Sequence, residues 1–257
     1  MTERSAGERR SAPASYVAAS PEAFAGAVAE QVKRQLQARA GSVLALPTGQ
    51  TPIGLYAELS RRCREEEISF AEVRTFNLDE FVGLPADHPA SFETYMMEHL
   101  FSHIDIDLAK VRIPNGNAPN LEQECRAYER EMAAVGGLDL AIVGIGANGH
   151  IAFNEPGTPF DSRTRVIELT EGSRLAHAAE FGGAEQVPER AITMGIGTIL
   201  QARRIVLLAL GADKAEIVAR AIEGPISRDV PASALQTHPN VLVMLDRDAA
   251  ARLHVPR

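Results

Sequence analysis

The stretch "GIGANGHIAFNEPG", residues 144–157, sets two ionisable side chains among glycines, small apolar residues and amides. The imidazole of His150 and the carboxylate of Glu155 lie five positions apart, close after the apolar run "LDLAIVGIG". Such a pair can act as a hydrogen-bonded acid and base. Asn148 can orient the imidazole but cannot ionise. A turn that only joins two buried elements is the alternative. No second His or carboxylate accompanies His150 at ligand spacing, so no metal site is predicted.

Two carboxylates end a second apolar run, "VRTFNLDEF", residues 73–81. A carboxylate at the mouth of a sheet can serve as a general base, and Asp79 and Glu80 are the candidates. Adjacent residues of an extended chain point to opposite faces, so at most one of the two should face a site. Helix caps or solvated loop residues are the alternative interpretation.

The sequence "LPTGQTP" has the character of an anion-binding turn between a strand and a helix. Glycine allows close approach of the backbone, and the helix N-terminus offers free N–H groups to a phosphate. The candidate contacts are Thr48, Gly49, Gln50 and Thr51. The spacing matches neither a P-loop nor a dinucleotide fingerprint, so nucleotide binding is not indicated. Lys214, in the first turn of a predicted helix, can meet a phosphate as a point charge. An ordinary turn and a solvated lysine are the alternatives.

Apolar runs that alternate with amphipathic helices indicate how these stretches are positioned. The predicted strands are 15–20, 42–46, 73–81, 138–146, 203–211 and 240–246. The predicted helices begin at Pro21 after the cap Ser20, at Pro52 after the cap Thr51, at Ser91 (to about His103), at 120 (to 135) and at the cap Asp213 (to 222). This alternation predicts an α/β, doubly wound, mostly parallel sheet. Ligands bind at the carboxyl ends of such strands, where all the candidate stretches fall.

Length and composition indicate a globular protein of 257 residues, with 45% hydrophobic and 23% charged residues. We predict a disordered N-terminal tail over residues 1–14 and a single domain over 15–257, because no linker or internal repeat is present. The net charge of −8 and the lack of a long basic run exclude nucleic acid as an expected partner.

The cellular compartment is predicted from what the chain lacks. The polar N-terminus is not a secretory signal, and the apolar runs are too short to span a membrane. Cys63 and Cys125 have no CxxC spacing and are expected to be reduced thiols. These features predict a cytoplasmic protein.

Several long motifs occur in register from about residue 15 to the end of the chain. "LPTGQTP", "FNLDEFVGLPADHPASF", "GIGANGHIAFNEPGTPFDSRTR", "ITMGIGTIL" and "LALGADKA" resemble the motifs of the glucosamine-6-phosphate deaminase family. The resemblance implies a Rossmann-like sheet with helices on both faces. It also implies conversion of an aminohexose 6-phosphate and water to fructose 6-phosphate and ammonia, without a metal or organic cofactor. Assembly into a homo-oligomer is left open.

The resemblance also assigns roles to the candidate residues. His150 corresponds to the group that opens the sugar ring, Asp79 to the base that moves the C2 proton to C1, and Glu155 to the acid that tunes the imidazole. Residues 48–51 and Lys214 correspond to phosphate contacts.

Two departures from the family pattern concern the same site. Asn148 replaces an Asp that many members have, which puts the pH profile in question. No Arg precedes "VP", where many members bring one to the phosphate; Glu180 or its neighbours stand there, and Arg174 lies six positions earlier.

The same residues distinguish the chain from proteins of related function. A 6-phosphogluconolactonase shares the fold but needs neither the "FNLDE" carboxylate nor the "FNEP" continuation. A sugar-phosphate-sensing regulator requires a helix-turn-helix, for which the N-terminus is too short. A galactosamine-6-phosphate deaminase differs only in the C4 hydroxyl that it reads, and no residue can be assigned to that contact.

Overall fold

The structure is a computed structural model that describes residues 12–85 and 87–254. It contains ten strands: β1 Ala14–Ala18, β2 Val43–Leu46, β3 Arg74–Asn77, β4 Asp79–Phe81, β5 Val111–Arg112, β6 Leu140–Gly144, β7 Arg165–Glu168, β8 Arg190–Thr193, β9 Ile205–Ala209 and β10 Val241–Asp246. The α-helices within the described residues are α1 Pro21–Ala38, α2 Ile53–Arg64, α3 Phe92–His99, α4 Leu121–Ala134, α5 Glu171–Phe181, α6 Ile196–Ile199 and α7 Ala215–Ile222.

Seven strands form one sheet in the order β1-β10-β9-β6-β2-β3-β5, with every neighbouring pair parallel. This arrangement confirms the predicted doubly wound α/β class. The connections between parallel strands pass through helices, as parallel pairing requires. The carboxyl ends of the strands therefore lie along one edge of the sheet.

The side chains of the central strands alternate between two apolar clusters, one on each face of the sheet. In β2, Val43 and Ala45 belong to the cluster that includes α4 and α7, whereas Leu44 and Leu46 belong to the cluster that includes α1 and α2. Every residue of β2 and β9 is buried. Burial on both faces explains why these strands are continuous apolar runs in the sequence.

The predicted strand 73–81 is wrong as one element, because the chain changes sheets at Leu78. The Leu78 N–H donates to the Leu46 carbonyl of the large sheet, and the Leu78 carbonyl accepts from the Met194 N–H. Asp79 then begins β4, which pairs with β8 in a separate antiparallel sheet of order β4-β8-β7. The change of sheet carries Asp79 across the edge where the parallel strands end.

Two predicted helix caps are also wrong. Helix α2 begins at Ile53 instead of Pro52, and neither Thr51 nor any other side chain caps it. A 3-10 turn over Ala212–Lys214 precedes α7, and Asp213 caps neither element. By contrast, Ser20 caps α1 through the Ala23 N–H, as predicted.

The predicted helix from Ser91 ends earlier than expected. Ser91 caps α3, which stops at His99, and a separate 3-10 turn covers Phe101–His103. Residues 1–11 of the predicted tail lie outside the described residues, and Ala14 begins β1 instead of ending the tail. None of the described helices combines the length and the apolar character needed to cross a lipid bilayer.

Candidate active site

A cavity of about 190 Å³ opens at the carboxyl edge of the large sheet. Its wall contains the loop 47–52 after β2, the segment 144–146 that ends β6, and side chains from β4 and the start of α7. Of the predicted site residues, the cavity brings together Thr48, Gly49, Gln50, Thr51, Asp79, His150 and Lys214. Asn148 and Glu155 do not line it; they lie behind His150 and contact its backbone and ring.

Side chains from α2 and α3 bind carbonyl groups of the loop after β2, and the N–H groups of the loop remain available to a ligand. Gly49 has a positive φ of 95°, a conformation that favours glycine. The Tyr95 hydroxyl donates to the Gly49 carbonyl at 2.6 Å, and the Tyr56 hydroxyl donates to the Pro47 carbonyl. Because α2 begins without a side-chain cap, its first N–H groups can receive an anion.

Lys214 brings a cation to the same cavity. It is the last residue of the 3-10 turn before α7, and its side chain is about one-fifth exposed. Its Nζ lies 3.5 Å from Asp213 Oδ2, a contact with a carboxylate that is itself 70% exposed. A largely solvated partner leaves the ammonium group able to bind a phosphate.

The buried carboxylate of Asp79 faces the cavity and has no hydrogen-bonding partner among the described residues. The residue is only 7% exposed. Burial, followed by the nearby Glu80 carboxylate, raises the pKa of Asp79 to about 8. A carboxyl group of this pKa exchanges protons near neutral pH, the range in which a general base works best.

Glu80 faces away from this cavity, as the alternation of an extended strand predicts. It lines a separate depression and accepts the N–H groups of Phe81, Phe92 and Glu93 at 2.8, 3.1 and 3.0 Å. Burial raises the pKa of Glu80 to about 7, against the opposing effect of these donors. Glu80 thereby fixes the start of α3 to β4 and holds the strand that carries Asp79.

His150 lies over Gly146, where a side chain would collide with the ring. A Cβ on Gly146 would stand 2.2 Å from His150 Cε1 and Nε2. Glu155 Oε1 lies 3.2 Å from His150 Nδ1, but Nδ1 has no well-aligned hydrogen bond, so the contact is electrostatic. His150 Nε2 makes no hydrogen bond with the described residues.

Glu155 is fixed by two further donors. Ser173 Oγ donates to Oε1 at 2.6 Å and Asn148 Nδ2 donates to Oε2 at 2.5 Å. Burial opposes ionisation of Glu155, but His150 and these two donors outweigh it and lower the pKa of Glu155 to about 2. The carboxylate is therefore charged at every physiological pH.

Asn148 reaches the imidazole only indirectly, which corrects the expectation that it orients the ring. Its Oδ1 accepts the backbone N–H of His150 at 3.1 Å while its Nδ2 holds Glu155. An Asp at this position would place a second carboxylate against Glu155. The amide avoids that repulsion and ties the two functional residues together.

Two residues of α5 belong to the site but were not predicted from the sequence. Ser173 holds Glu155, and His177 lines the cavity beside the loop 47–52. Neither follows a strand, so the rule that led to the other residues does not find them. A His three positions before Glu180 on one helix is the signal that was available.

The two residues discussed for the missing Arg lie apart from the cavity wall. Arg174 does not line the cavity, and its Nε is buried without a partner. Glu180 is 41% exposed and contacts His177 Nδ1 at 2.8 Å. Within the described residues, no group of three or more His, Cys, Asp or Glu side chains is placed to hold a metal ion.

Comparison with known proteins identifies the relatives of this chain. Residues 17–244 match the model of the family described as glucosamine-6-phosphate isomerases/6-phosphogluconolactonase. The chain is 50% identical over 239 residues to a glucosamine-6-phosphate deaminase of Hahella chejuensis, which covers 93% of this chain and 91% of that protein. A glucosamine-6-phosphate deaminase of a Geobacillus species is 49% identical over 232 residues, with 90% and 92% covered.

Solved structures extend the comparison. A monomeric glucosamine-6-phosphate deaminase matches with a TM-score of 0.90 and 45% identity, over 93% of this chain and 99% of that chain. A 6-phosphogluconolactonase from Trypanosoma brucei has a TM-score of 0.76 at 22% identity, over 94% and 98% of the two chains, and shares the fold. The chain therefore belongs to the family of glucosamine-6-phosphate isomerases and 6-phosphogluconolactonases.

Proposed function

We propose that this protein is a glucosamine-6-phosphate deaminase, which converts glucosamine 6-phosphate and water to fructose 6-phosphate and ammonia. One observation carries the proposal: a single cavity holds the partnerless carboxylate of Asp79, the imidazole of His150 and the anion-binding loop with Lys214. The relatives at 45–50% identity that carry this name support the same reaction. Catalysis of this kind needs a base and an acid at one end of the substrate and an anion site at the other.

The reaction begins with opening of the pyranose ring. In our proposal His150 carries the proton between the C1 hydroxyl and the ring oxygen. The negative charge of Glu155, 3.2 Å from Nδ1, favours a proton on that nitrogen and leaves Nε2 for the sugar. Ser173 and Asn148 keep the Glu155 carboxylate in place through the reaction.

Proton transfer from C2 to C1 follows in the open chain. Asp79 takes the C2 proton and returns it to C1, through an enolamine intermediate that becomes a 2-imine. Water then adds to C2, and the amino group leaves as ammonia, which gives the ketone of fructose 6-phosphate. Each such proton transfer contributes roughly 10²–10⁴-fold to the rate.

The phosphate is bound away from the reacting carbons. Residues 48–51 and Lys214 are the proposed contacts, because uncapped N–H groups and an ammonium group meet there. Binding energy from this remote group fixes C1 and C2 against Asp79 and His150. We further propose a cytoplasmic location, since Cys63 and Cys125 are free thiols. Assembly into a homo-oligomer stays a prediction.

An ammonia-release assay over a panel of aminohexoses tests the proposal. The panel contains glucosamine and galactosamine, each with and without the 6-phosphate, and 6-phosphogluconolactone with a hydrolysis readout. We expect ammonia and fructose 6-phosphate from glucosamine 6-phosphate, and little product from the sugars that lack the phosphate. Faster release from galactosamine 6-phosphate would change the epimer, and lactone hydrolysis without ammonia would replace the proposed reaction.

A further inference from the structure

The anion end of the cavity contains a second ionisable side chain besides Lys214. His177, from the second turn of α5, lines the cavity together with the loop 47–52. Its side chain is 19% exposed, so most of the ring is covered by protein and the remainder faces open space. The family motif provides no role for this side chain.

Aromatic packing holds the His177 ring in one orientation. The rings of Phe81, Phe92 and Phe153 surround it with centroid distances of 5.3, 5.9 and 5.9 Å. Edge-to-face contacts of this kind stabilise aromatic clusters. A ring fixed on three sides points its remaining polar atoms in defined directions.

Glu180 determines which nitrogen of His177 is left for a ligand. Its Oε2 lies 2.8 Å from Nδ1, so Nδ1 carries a proton and donates to the carboxylate. Nε2 makes no hydrogen bond with the described residues and is not fully buried. In a neutral ring with the proton on Nδ1, Nε2 can only accept a hydrogen bond. In the imidazolium, Nε2 is protonated and donates instead of accepting, and a phosphate oxygen is the matching acceptor.

We propose that His177, held by Glu180, is a phosphate-binding residue of this cavity and contacts the 6-phosphate through Nε2 as an imidazolium. This inference rests on the proposed function and adds the group that reads the phosphate together with Lys214. The acidic Glu180 then faces the imidazole instead of the phosphate. A carboxylate that faced the phosphate would repel it, whereas a carboxylate that faces the imidazole supports a cation there.

The charges around His177 come from several elements. Across the cavity are Asp79, His150 and Lys214, and beside it, around the adjoining depression, are Tyr95, Glu98 and His99 of α3. Glu180 and Glu98 bring negative charge near the ring, and Lys214 and the other two imidazoles bring positive charge when protonated. Asp79, whose pKa is raised to about 8, is neutral at lower pH. A bound phosphate adds negative charge between the two cations. Binding is therefore coupled to protonation, and affinity falls as pH rises through the range in which histidines lose their charge.

Binding of inorganic phosphate to His177→Phe tests the proposal without a need for turnover. Phe keeps the aromatic packing and removes both nitrogens, and His103→Phe, at an exposed position, is the matched control. Calorimetry at pH 6 should show binding by the wild type and by His103→Phe. His177→Phe should bind at least about 10-fold more weakly, the loss expected for one charge-assisted hydrogen bond. His177→Asn, whose amide can still donate to Glu180, serves as a second variant should Phe disturb folding.

The pH dependence separates a binding role from a packing role. Because inorganic phosphate itself titrates in the same pH range, the informative quantity is the difference between the wild type and His177→Phe. This difference in affinity should shrink as pH rises to about 8, where histidines are neutral. A merely structural role would leave the difference constant with pH.

Each remaining outcome decides one proposal. Equal phosphate affinity in the wild type and both His177 variants, or no phosphate binding by the wild type, would overturn the role of His177. Ammonia release by the wild type in either case would leave the proposed reaction standing. Phosphate binding that depends on His177 in a protein that releases no ammonia would overturn the reaction and retain the anion site.

Discussion

Polar groups at the edge of the cavity differ from polar groups elsewhere in whether the protein supplies their partners. The first N–H groups of α1 and α4 are capped by Ser20 and Asn120, far from the cavity. Helices α2 and α7, which begin directly after Pro52 and Lys214, have no side-chain cap. The short α6 has no cap from its own N-cap residue either, but Ser162 Oγ accepts its first N–H at 3.0 Å. Among these helices, α2 keeps free donors at the cavity, whereas the 3-10 turn before α7 already pairs the N–H groups of Lys214 and Ala215 with the Gly211 and Ala212 carbonyls.

Buried carboxylates show the same difference. Asp139, 3% exposed and remote from the cavity, accepts from Arg39, Arg203 and the Val43 N–H. Asp79, 7% exposed, has no hydrogen-bonding partner among the described residues. A buried carboxylate without donors weakens the fold unless it stays protonated. The comparison indicates that the cavity leaves the Asp79 carboxylate unpaired for a ligand, whereas Asp139, remote from the cavity, is paired for stability.

Asp79→Asn should produce the largest change. An amide of the same shape cannot take the C2 proton, so we expect kcat to fall by roughly 10²–10⁴-fold while KM changes little. Exchange of the C2 proton with solvent, followed by NMR in deuterated water, is the direct measurement. Unchanged turnover would show that Asp79 is not the base. It would also contradict the inference that Asp79, unlike Asp139, is left unpaired for a ligand.

Lys214→Ala should act on binding rather than on chemistry. Loss of one charged donor to the phosphate should raise KM by roughly 10- to 100-fold, with a smaller effect on kcat. Steady-state kinetics with glucosamine 6-phosphate measures both constants. The control is Arg220→Ala, which removes a cation of α7 that does not line the cavity. A KM that stays at the wild-type value would show that the ammonium group is merely solvated.

Glu155→Gln sharpens the comparison between charge and position. The amide retains hydrogen-bonding capacity toward Ser173 but removes the negative charge next to His150 Nδ1. Because the contact with the imidazole is electrostatic, loss of the charge should lower kcat by roughly 10-fold, less than for Asp79→Asn. A pH profile of kcat is the second readout, since an effect on the imidazole alters the profile and a packing effect lowers it uniformly.

The stability of Asp79→Asn should run opposite to its activity. The native carboxyl has a pKa of about 8 against an ordinary value of 3.8, so the native state holds this proton where the unfolded chain has lost it. The protonated, neutral form of Asp79 is compatible with burial, so the fold is not destabilised by this group below about pH 4. Stability then falls as pH rises from about 4 to about 8. Asp79→Asn cannot ionise at this position, so it does not lose stability over this pH range.

Thermal melts of both proteins from pH 5 to pH 8.5 measure this effect. The advantage of the variant should grow with pH and exceed about 2–4 °C at pH 8.5, the shift that ~1 kcal/mol produces in a chain of this size. A difference in melting temperature that does not vary with pH would mean that burial does not disfavour the charged form of Asp79.

The parts of this arrangement that the sequence predicts are those that depend on strand ends. Buried parallel strands are visible as apolar runs, and their carboxyl ends meet, so residues 48–51, Asp79, His150 and Lys214 could be placed at one edge of the sheet before any coordinates. The opposite orientation of Glu80 also followed from the period of two. The sequence could not show the sheet β4-β8-β7, because its strands are three or four residues long and pair across long stretches of chain.

Side-chain contacts between distant elements account for the remaining differences. His177 reaches the cavity from a helix, and its position depends on three Phe rings that belong to other elements. Thr51 and Asp213 have the residue types of helix caps, yet neither caps a helix: α2 begins without a side-chain cap, and a 3-10 turn pairs the N–H groups at the start of α7. Cap propensity failed there because the local preference competes with the orientation of a loop toward a ligand.

Ser20→Ala tests the other side of the comparison and should have the smallest effect. Ser20 Oγ accepts the Ala23 N–H at 3.2 Å, and loss of such a cap costs about 1 kcal/mol. The melting temperature should fall by about 2–4 °C, while phosphate affinity and kcat/KM stay at wild-type values; Ser20→Asp, which keeps a capping oxygen, should restore stability. If Ser20→Ala weakened phosphate binding as Lys214→Ala does, capped and uncapped helix starts would not be separate in function, because the free donors of α2 would then depend on the stability of α1 beside it.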